Sequence, residues 1–323
     1  MKGPAVPEQS AAPATMPGAV DLNFLPGVEK RVNGQLLTRL AESELSGFLY
    51  EPFASAFRYS LLDDEAKRIR PLTAYATALS LGVEADEMGG LDDYAAVAME
   101  ACHTMSLIFD DLPAQDDSPE RRHKPTLHVV FGVATAELTA GLMTNWATRV
   151  VAETDLEHGL DGDLSRYVGR TLGGLALGQH KDLQLKGKPD KEVSPEELDE
   201  IAYLKTALAI EMCMAGTAMI RRASPEVIEG LKLYARYYGL AFQIKDDILD
   251  PLKGPGGTDT TGGLDARNRK PNYPSVMGVD GARERFRQNS VLAAETLASL
   301  PTYVDTTALK SIAGLADKQQ YHQ

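Results

Sequence analysis

Apolar residues in this chain recur at three- and four-residue spacing, and no stretch settles into the alternation of a strand. The series Val28, Val32, Leu36, Leu37 and Leu40 marks one face of a helix beginning near Val28. The same spacing predicts helices over about 48–62, 71–81, 91–111, 133–154, 164–185, 194–222 and 225–250. Local chemistry sets several ends. Pro71 suits a first helical turn, and Ser194-Pro195-Glu196-Glu197 reads as an N-cap, a proline at the first position and acids in the first turn. Ser224-Pro225-Glu226 repeats that signal. Leu112-Pro113 ends the helix that starts near Leu91, because proline disfavours helix in the residue before it. Residues 1–20, rich in Pro, Ala and Gly, predict a disordered tail. Lys253–Pro274 carries five glycines and three prolines and predicts a long loop. Helices resume at about 281–299 and 306–318. The pattern predicts an all-α fold: one large helical bundle over residues 21–323, roughly ten helices around a central apolar cavity.

Composition narrows what such a bundle does. With 323 residues, 43% of them hydrophobic, the chain can bury a sizeable core. A net charge of −13 argues against a nucleic-acid or anionic-membrane surface. An anionic substrate would then need a local basic cluster or metal ions. Cys102 and Cys213 each fall inside an apolar helical pattern and read as buried free thiols, which fits a reducing, cytoplasmic setting. No apolar run approaches the roughly 18 residues of a membrane span, and the N-terminus lacks the continuous apolar core of a secretory signal.

The candidate chemistry lies where apolar helices end in acids. Met99–Thr126 runs from an apolar helix into Asp110, Asp111, Asp116 and Asp117, then Arg121 and Arg122. Residues 237–250 repeat the arrangement, with Asp246, Asp247 and Asp250. Asp246 and Asp250 are four apart and share a helical face. The break at Leu112-Pro113 would loop Asp116 back toward Asp110. One such pair alone reads as a solvated helix end. Two, each flanked by long apolar runs, point to a cation between them, because grouped carboxylates repel one another without one. Mg2+ takes oxygen ligands and commonly shares them with a substrate phosphate.

Three stretches carry a resemblance: Asp110-Asp111-Leu112-Pro113-Ala114-Gln115-Asp116, then Arg121-Arg122-His123-Lys124-Pro125-Thr126, and Gly239-Leu240-Ala241-Phe242-Gln243-Ile244-Lys245-Asp246-Asp247-Ile248-Leu249-Asp250. With them the chain resembles the trans-prenyl diphosphate synthases, the farnesyl and geranylgeranyl diphosphate synthase family, over about residues 30–315. The resemblance implies the isoprenoid synthase fold, Mg2+ as cofactor, and head-to-tail condensation of isopentenyl diphosphate with an allylic diphosphate. It implies metal ligands at Asp110, Asp111, Asp116, Asp246 and Asp250, with Asp247 in support and Asp117 solvated or one step removed. It assigns isopentenyl diphosphate to Lys67, Arg70, His103 and Arg122, and the allylic diphosphate to Arg121. Lys205 and Lys270 match lysines that contact the leaving pyrophosphate. Gln243 and Gln179 match polar positions lining the pocket, and Thr206 is also in reach, where nearby polar groups or pyrophosphate itself would take the proton. Asp110, Asp111, Asp246, Lys205 and Gln243 are thereby the catalytic candidates. In the family the pocket floor sets product length. Met105 and Ser106, about one turn before Asp110, are not aromatic, which favours a C20 product over C15. A homodimer is also implied.

Taken singly, each basic residue has a plainer reading. Lys67, Arg68 and Arg70 would be a solvated helix face, and His103 a core histidine with its hydrogen bonds satisfied. The chain also departs from the family pattern. Glu65-Ala66 replaces the usual Gly-Gly before Lys67, Phe109 replaces a histidine, and His123 replaces a glycine. Thr260 and Leu264 stand where loop lysines are expected, and the C-terminus lacks the family's basic residues. Two alternatives therefore stand beside an active synthase: a terpene synthase derived from the family, and a non-catalytic partner subunit.

Overall fold

The structure is a computed structural model and describes residues 25–45, 47–84, 87–249 and 270–319. The expected tail at 1–20, Asp250, Thr260, Leu264 and most of the expected glycine-rich loop lie outside the described residues. The chain is all-α, as the periodicity predicts. The helices are α1 (Leu25–Leu45), α2 (Phe53–Leu61), α3 (Ile69–Ser80), α4 (Met99–Asp111), α5 (Leu127–Phe131), α6 (Val133–Glu157), α7 (Asp163–Gln184), α8 (Pro195–Ala202), α9 (Leu208–Ile220), α10 (Pro225–Leu249), α11 (Tyr273–Ser299) and α12 (Thr307–Gln319). Two wider π turns are continuous with their neighbours, Asp93–Ala98 leading into α4 and Tyr203–Ala207 joining α8 to α9. Such turns insert a residue into a helix and often occur at functional sites.

Three boundaries differ from expectation. A two-residue antiparallel ladder pairs β1 (Glu120–Arg121) with β2 (Lys124–Pro125), and Arg122 and His123 make its turn at φ 51° and 56°. No alternation is long enough there to signal it. The short helix α5 was likewise not expected. Finally, α11 starts at Tyr273 and not near 281. Asn272 caps it reciprocally with Ser275, and proline stands in its first turn. Gly278, at φ 75°, interrupts the helix, so the periodic pattern is readable only beyond it.

The core forms where apolar faces of α1, α2, α4 and α6 meet. Trp146 is fully buried, packs edge-on against Phe57 at 5.7 Å, and donates its indole N–H to Ser43 at 3.0 Å. Burying one large apolar side chain stabilises the fold by about 1.5–3 kcal/mol. Tyr94, in the first π turn, is also buried and donates to the Met212 carbonyl at 2.6 Å. Its ring lies against Gly216, where any side chain would collide with it. Helix α10 packs on α9 and α11, and α7 packs on the second π turn. These contacts set the walls of the cavity described next.

Candidate active site

The first acidic motif is held by the end of α4. Leu112 turns to an extended conformation (ψ 150°), and the chain doubles back so that the Asp116 N–H donates to the Asp110 carbonyl at 3.0 Å. Asp116 therefore returns to Asp110, as the proline break predicts. Burial pushes the Asp110 carboxyl up to about 6; Lys205 and Arg121 oppose the shift, and Asp116 and Asp182 add to it. Asp111 behaves differently. Arg121 grips it with a two-pronged pair, Nε to Oδ2 at 2.9 Å and Nη2 to Oδ1 at 2.8 Å. Burial still raises its pKa, against that arginine. Asp117 is exposed.

Two lysines tie this motif to α7. Lys205 donates to Asp182 at 2.8 Å, and Lys270 donates to Asp182 at 2.8 Å and to Asp116 at 3.0 Å. Burial disfavours the Lys205 charge, yet Asp182 and Asp110 hold its pKa above the ordinary value. Burial alone would lift Asp182, but Lys205 and Lys270 hold it below the usual carboxylate range. Close helix approach makes this geometry possible. A Cβ on Gly178 would lie 2.6 Å from the Lys205 nitrogen, and one on Gly239 would strike Ala207. Both glycines let α7 and α10 press against the π turn that carries Lys205 and Thr206.

The second acidic motif sits at the end of α10, where Asp246 is half-buried and Asp247 buried. Thr206 donates to the Gln243 carbonyl oxygen at 2.8 Å, and the Gln243 amide donates to Asp247 at 2.8 Å. Asp247 also accepts the Tyr273 N–H at 3.2 Å. Among the described residues no three Asp, Glu, His or Cys side chains are grouped closely enough to hold one ion. The lysine ammonium groups stand between the carboxylates instead.

A basic rim lies on the other side. Arg70 donates to His103 at 3.0 Å. Burial, with Arg70 and Arg122 nearby, lowers the His103 pKa well below its usual value, so the ring is neutral and accepts from Arg70. Arg122 and Lys124 lie 3.6 and 3.4 Å from Asp63. The Lys-Arg-Ile-Arg segment splits: Lys67 is exposed, whereas Arg68 is buried against Glu100.

Between these groups opens a cavity of about 510 Å³. Arg70, His103, Asp110, Gln179, Lys205 and Thr206 line it together, with Met105, Ser106, Phe109 and Leu172 among its other walls. Both expected floor residues thus face the cavity. Gln243, Asp247 and Lys270 line a smaller adjoining pocket, and Lys205 borders both. Sequence reasoning passed over Asp182, the carboxylate both lysines share, and Gln115, which accepts from Gln179 at 2.7 Å. The available signal for Asp182 was its place three residues after Gln179 on the same apolar helix.

Comparison with known proteins follows the same lines. The family model for polyprenyl synthetase matches residues 51–299. A farnesyl diphosphate synthase of Haemophilus influenzae is 34% identical over 287 residues, 87% of this chain and 92% of that one. The mitochondrial geranylgeranyl pyrophosphate synthase 6 of Arabidopsis thaliana is 39% identical over 266 residues, 77% of this chain and 76% of that one. Geranylgeranyl pyrophosphate synthase 4 of the same plant is 36% identical over 231 residues, 71% of this chain, and the match spans 61% of that longer relative. Among solved structures, a putative farnesyl-diphosphate synthase from Marinomonas superposes with a TM-score of 0.70 at 28% identity, covering 91% of this chain and 97% of that one. A geranyltransferase from Legionella pneumophila superposes with a TM-score of 0.75 at 25% identity, covering 93% and 96%. Among the described residues no helix is long and apolar enough to cross a membrane.

Proposed function

The chain belongs to the polyprenyl synthetase family, whose matched members are short-chain prenyl diphosphate synthases, and from that premise we propose that it joins isopentenyl diphosphate head-to-tail to an allylic diphosphate. The observation that carries this reading is one apolar cavity of about 510 Å³ with Asp110, Lys205, Arg70 and His103 all in its lining. A long prenyl chain needs the apolar walls, and its diphosphate needs the charged ones.

The cofactor we propose is Mg2+. Its ligands would be Asp110 and Asp116 on one side and Asp246 with Asp250 on the other. The donor set is carboxylate oxygen throughout, which suits a hard divalent ion that completes its shell with phosphate oxygens. Two features support the fit. Burial raises the Asp110 pKa, so a cation beside it would favour its ionised form, and the Lys270 ammonium shows that a cation fits between Asp116 and Asp182. Asp111 is committed to Arg121 and is the weaker ligand candidate. When bound, Mg2+ would neutralise charge building on the departing pyrophosphate.

The chain's own groups do the rest. Arg121, oriented by Asp111 through Nε and Nη2, would offer its Nη1 side to the allylic diphosphate. Arg70, Arg122 and the neutral His103, with Lys67 at the rim, would hold isopentenyl diphosphate. Lys205 and Lys270 would follow the leaving group as its charge grows. The apolar walls would exclude water from the allylic cation. The proton lost at the end would pass to pyrophosphate or a nearby polar group. With Met105 and Ser106 in the lining and neither of them aromatic, the reading favours a C20 product. A homodimer in the cytoplasm completes it.

A product assay tests the proposal. Purified protein, Mg2+ and isopentenyl diphosphate are combined with dimethylallyl, geranyl or farnesyl diphosphate in turn, and products are identified by mass spectrometry. A C15 or C20 diphosphate is expected. A hydrocarbon or alcohol made from an allylic diphosphate alone would identify a terpene synthase instead. No product from folded, Mg2+-binding protein would point to a partner subunit.

A further inference from the structure

The hydrogen bonds running from α11 through α10 to the cavity have a fixed direction. Their fixed end is a backbone group: the Tyr273 N–H, at the first residue of α11, donates to one oxygen of Asp247 at 3.2 Å. A peptide N–H cannot reverse. The other Asp247 oxygen accepts the Gln243 side-chain amide at 2.8 Å. A carboxylate whose two oxygens both accept gives Gln243 only one orientation, with its carbonyl oxygen turned toward Thr206. Thr206 then donates its hydroxyl proton to that oxygen at 2.8 Å. Thr206 lines the large cavity, while Gln243 and Asp247 line the small pocket behind it. The threonine proton is drawn out of the cavity, and its lone pairs are left facing in.

Resting on the prenyl-transfer reading, we infer that Asp247 is a positioning residue. It polarises Gln243 and Thr206 so that the Thr206 oxygen meets the allylic cation as an electron-rich acceptor. An unconstrained hydroxyl could turn its proton toward the cavity and present the wrong end of its dipole to developing positive charge. The relay removes that option before substrate arrives, so no reorientation is needed as charge develops. The role differs from that of a metal ligand in what it predicts: its effect runs through the Gln243 amide and is lost when the Thr206 hydroxyl is removed.

Asp247→Asn provides a near-isosteric inversion. Its single carbonyl oxygen must face the Tyr273 N–H, so its NH2 faces Gln243. The glutamine amide then turns over and donates to Thr206, whose proton is released toward the cavity. The test is a cycle of wild type, Asp247→Asn, Thr206→Val and the double variant, each titrated with Mg2+ to saturation. We expect Asp247→Asn to lower kcat about 10- to 100-fold with KM for both diphosphates unchanged, a range set below the loss of a full oxyanion donor. In the Thr206→Val background the same change should have no further effect, because there is no hydroxyl to invert. If Asp247→Asn slows the Thr206→Val enzyme as much as it slows wild type, or raises the Mg2+ requirement equally in both, the relay is refuted and Asp247 acts as a metal ligand or through the fold. If wild type makes no prenyl diphosphate, the reaction reading fails, and thermal unfolding of the same four proteins tests the relay. Non-additive losses for Asp247 and Thr206 would support it, and additive losses would overturn it.

Discussion

Replacing Arg68 with methionine should destabilise the protein far more than a surface arginine would, because Arg68 is the cation of a fully enclosed ion pair. Its Nη1 lies 2.5 Å from Glu100, and both side chains are 2% exposed. The same guanidinium donates to the Leu61 carbonyl at 2.7 Å and to Asn33 at 3.2 Å. The second Glu100 oxygen is buried without a partner, so Arg68 is the carboxylate's main compensation. Methionine keeps the stem's packing but strands that charge, which in comparable sites costs about 3–5 kcal/mol. Against a total stability of about 5–15 kcal/mol, that is a large fraction. Urea unfolding is the assay. With an m-value of about 3 kcal/mol/M, the midpoint should fall by about 1–1.7 M. Pairing Arg68→Met with Glu100→Leu removes both charges and should restore most of the loss, since a well-packed apolar pair often replaces a buried ion pair without penalty. A single-variant loss below about 1 kcal/mol, or a double variant no better than the single, would refute the reasoning. The substitution also has a functional arm. Arg68 stands at φ 51° immediately before α3, between Lys67 and Arg70, so loosening it should raise KM for isopentenyl diphosphate.

Three further outcomes follow from the site. Burial pushes the folded Asp110 carboxyl up to about 6, above its ordinary 3.8, so folding favours the protonated form; with EDTA present, this group's contribution to stability should be greatest below about pH 4 and fall by about 3 kcal/mol as pH rises through 6. Asp110→Asn should flatten that part of the melting-temperature profile and abolish turnover, and a profile unchanged by the substitution would contradict the burial argument. Gly239→Ala would drive a methyl group into Ala207, so unfolding should show a loss of about 1–3 kcal/mol together with reduced kcat from the displaced Lys205 and Thr206; unaltered kinetics would mean the π turn tolerates the shift. Met105→Phe should shorten the product read by mass spectrometry, and an unchanged chain length would place the floor at other wall residues.

The parts of this protein that could be read from its sequence are those whose cause is local. Helix spacing, the Ser194 cap and the proline break after Leu112 each act within a few residues, and each appears where expected; the Ser194 hydroxyl accepts from the Glu197 N–H at 3.1 Å. The return of Asp116 to Asp110 followed from that same break. What escaped depends on distant partners. Lys67 and Arg68 are neighbours of like charge, and nothing local says that Arg68 turns inward while Lys67 stays exposed. That choice is made by Glu100, 32 residues away. In sequence Asp182 is one more acid on α7; in the structure Lys205 closes on it from the second π turn and Lys270 from the chain just before α11. The π turn at Tyr203–Ala207 was equally hidden, since one inserted residue barely changes a helical period, yet it decides where Lys205 and Thr206 point.

The pairing of charges in the site also bears on how a diphosphate would be selected. Four of the cations assigned to a diphosphate already have an anion: Arg121 has Asp111, Arg122 has Asp63, and Lys205 and Lys270 share Asp182. These pairs keep buried charge compensated, which an empty basic pocket in a chain of net charge −13 would not need for solubility but would need for stability. They also raise the threshold for binding. An incoming ligand must offer these cations more than a carboxylate does, and a diphosphate accompanied by divalent ions does so in two ways. Its oxygens would engage the lysines and arginines, and divalent ions held at the proposed ligands would compensate an acid such as Asp116 when Lys270 leaves it. A ligand bringing only one of the two charges would leave either stranded acids or stranded bases in a buried site. Exchange of both partners at once gives a physical reason for acidic and basic clusters to share one cavity mouth.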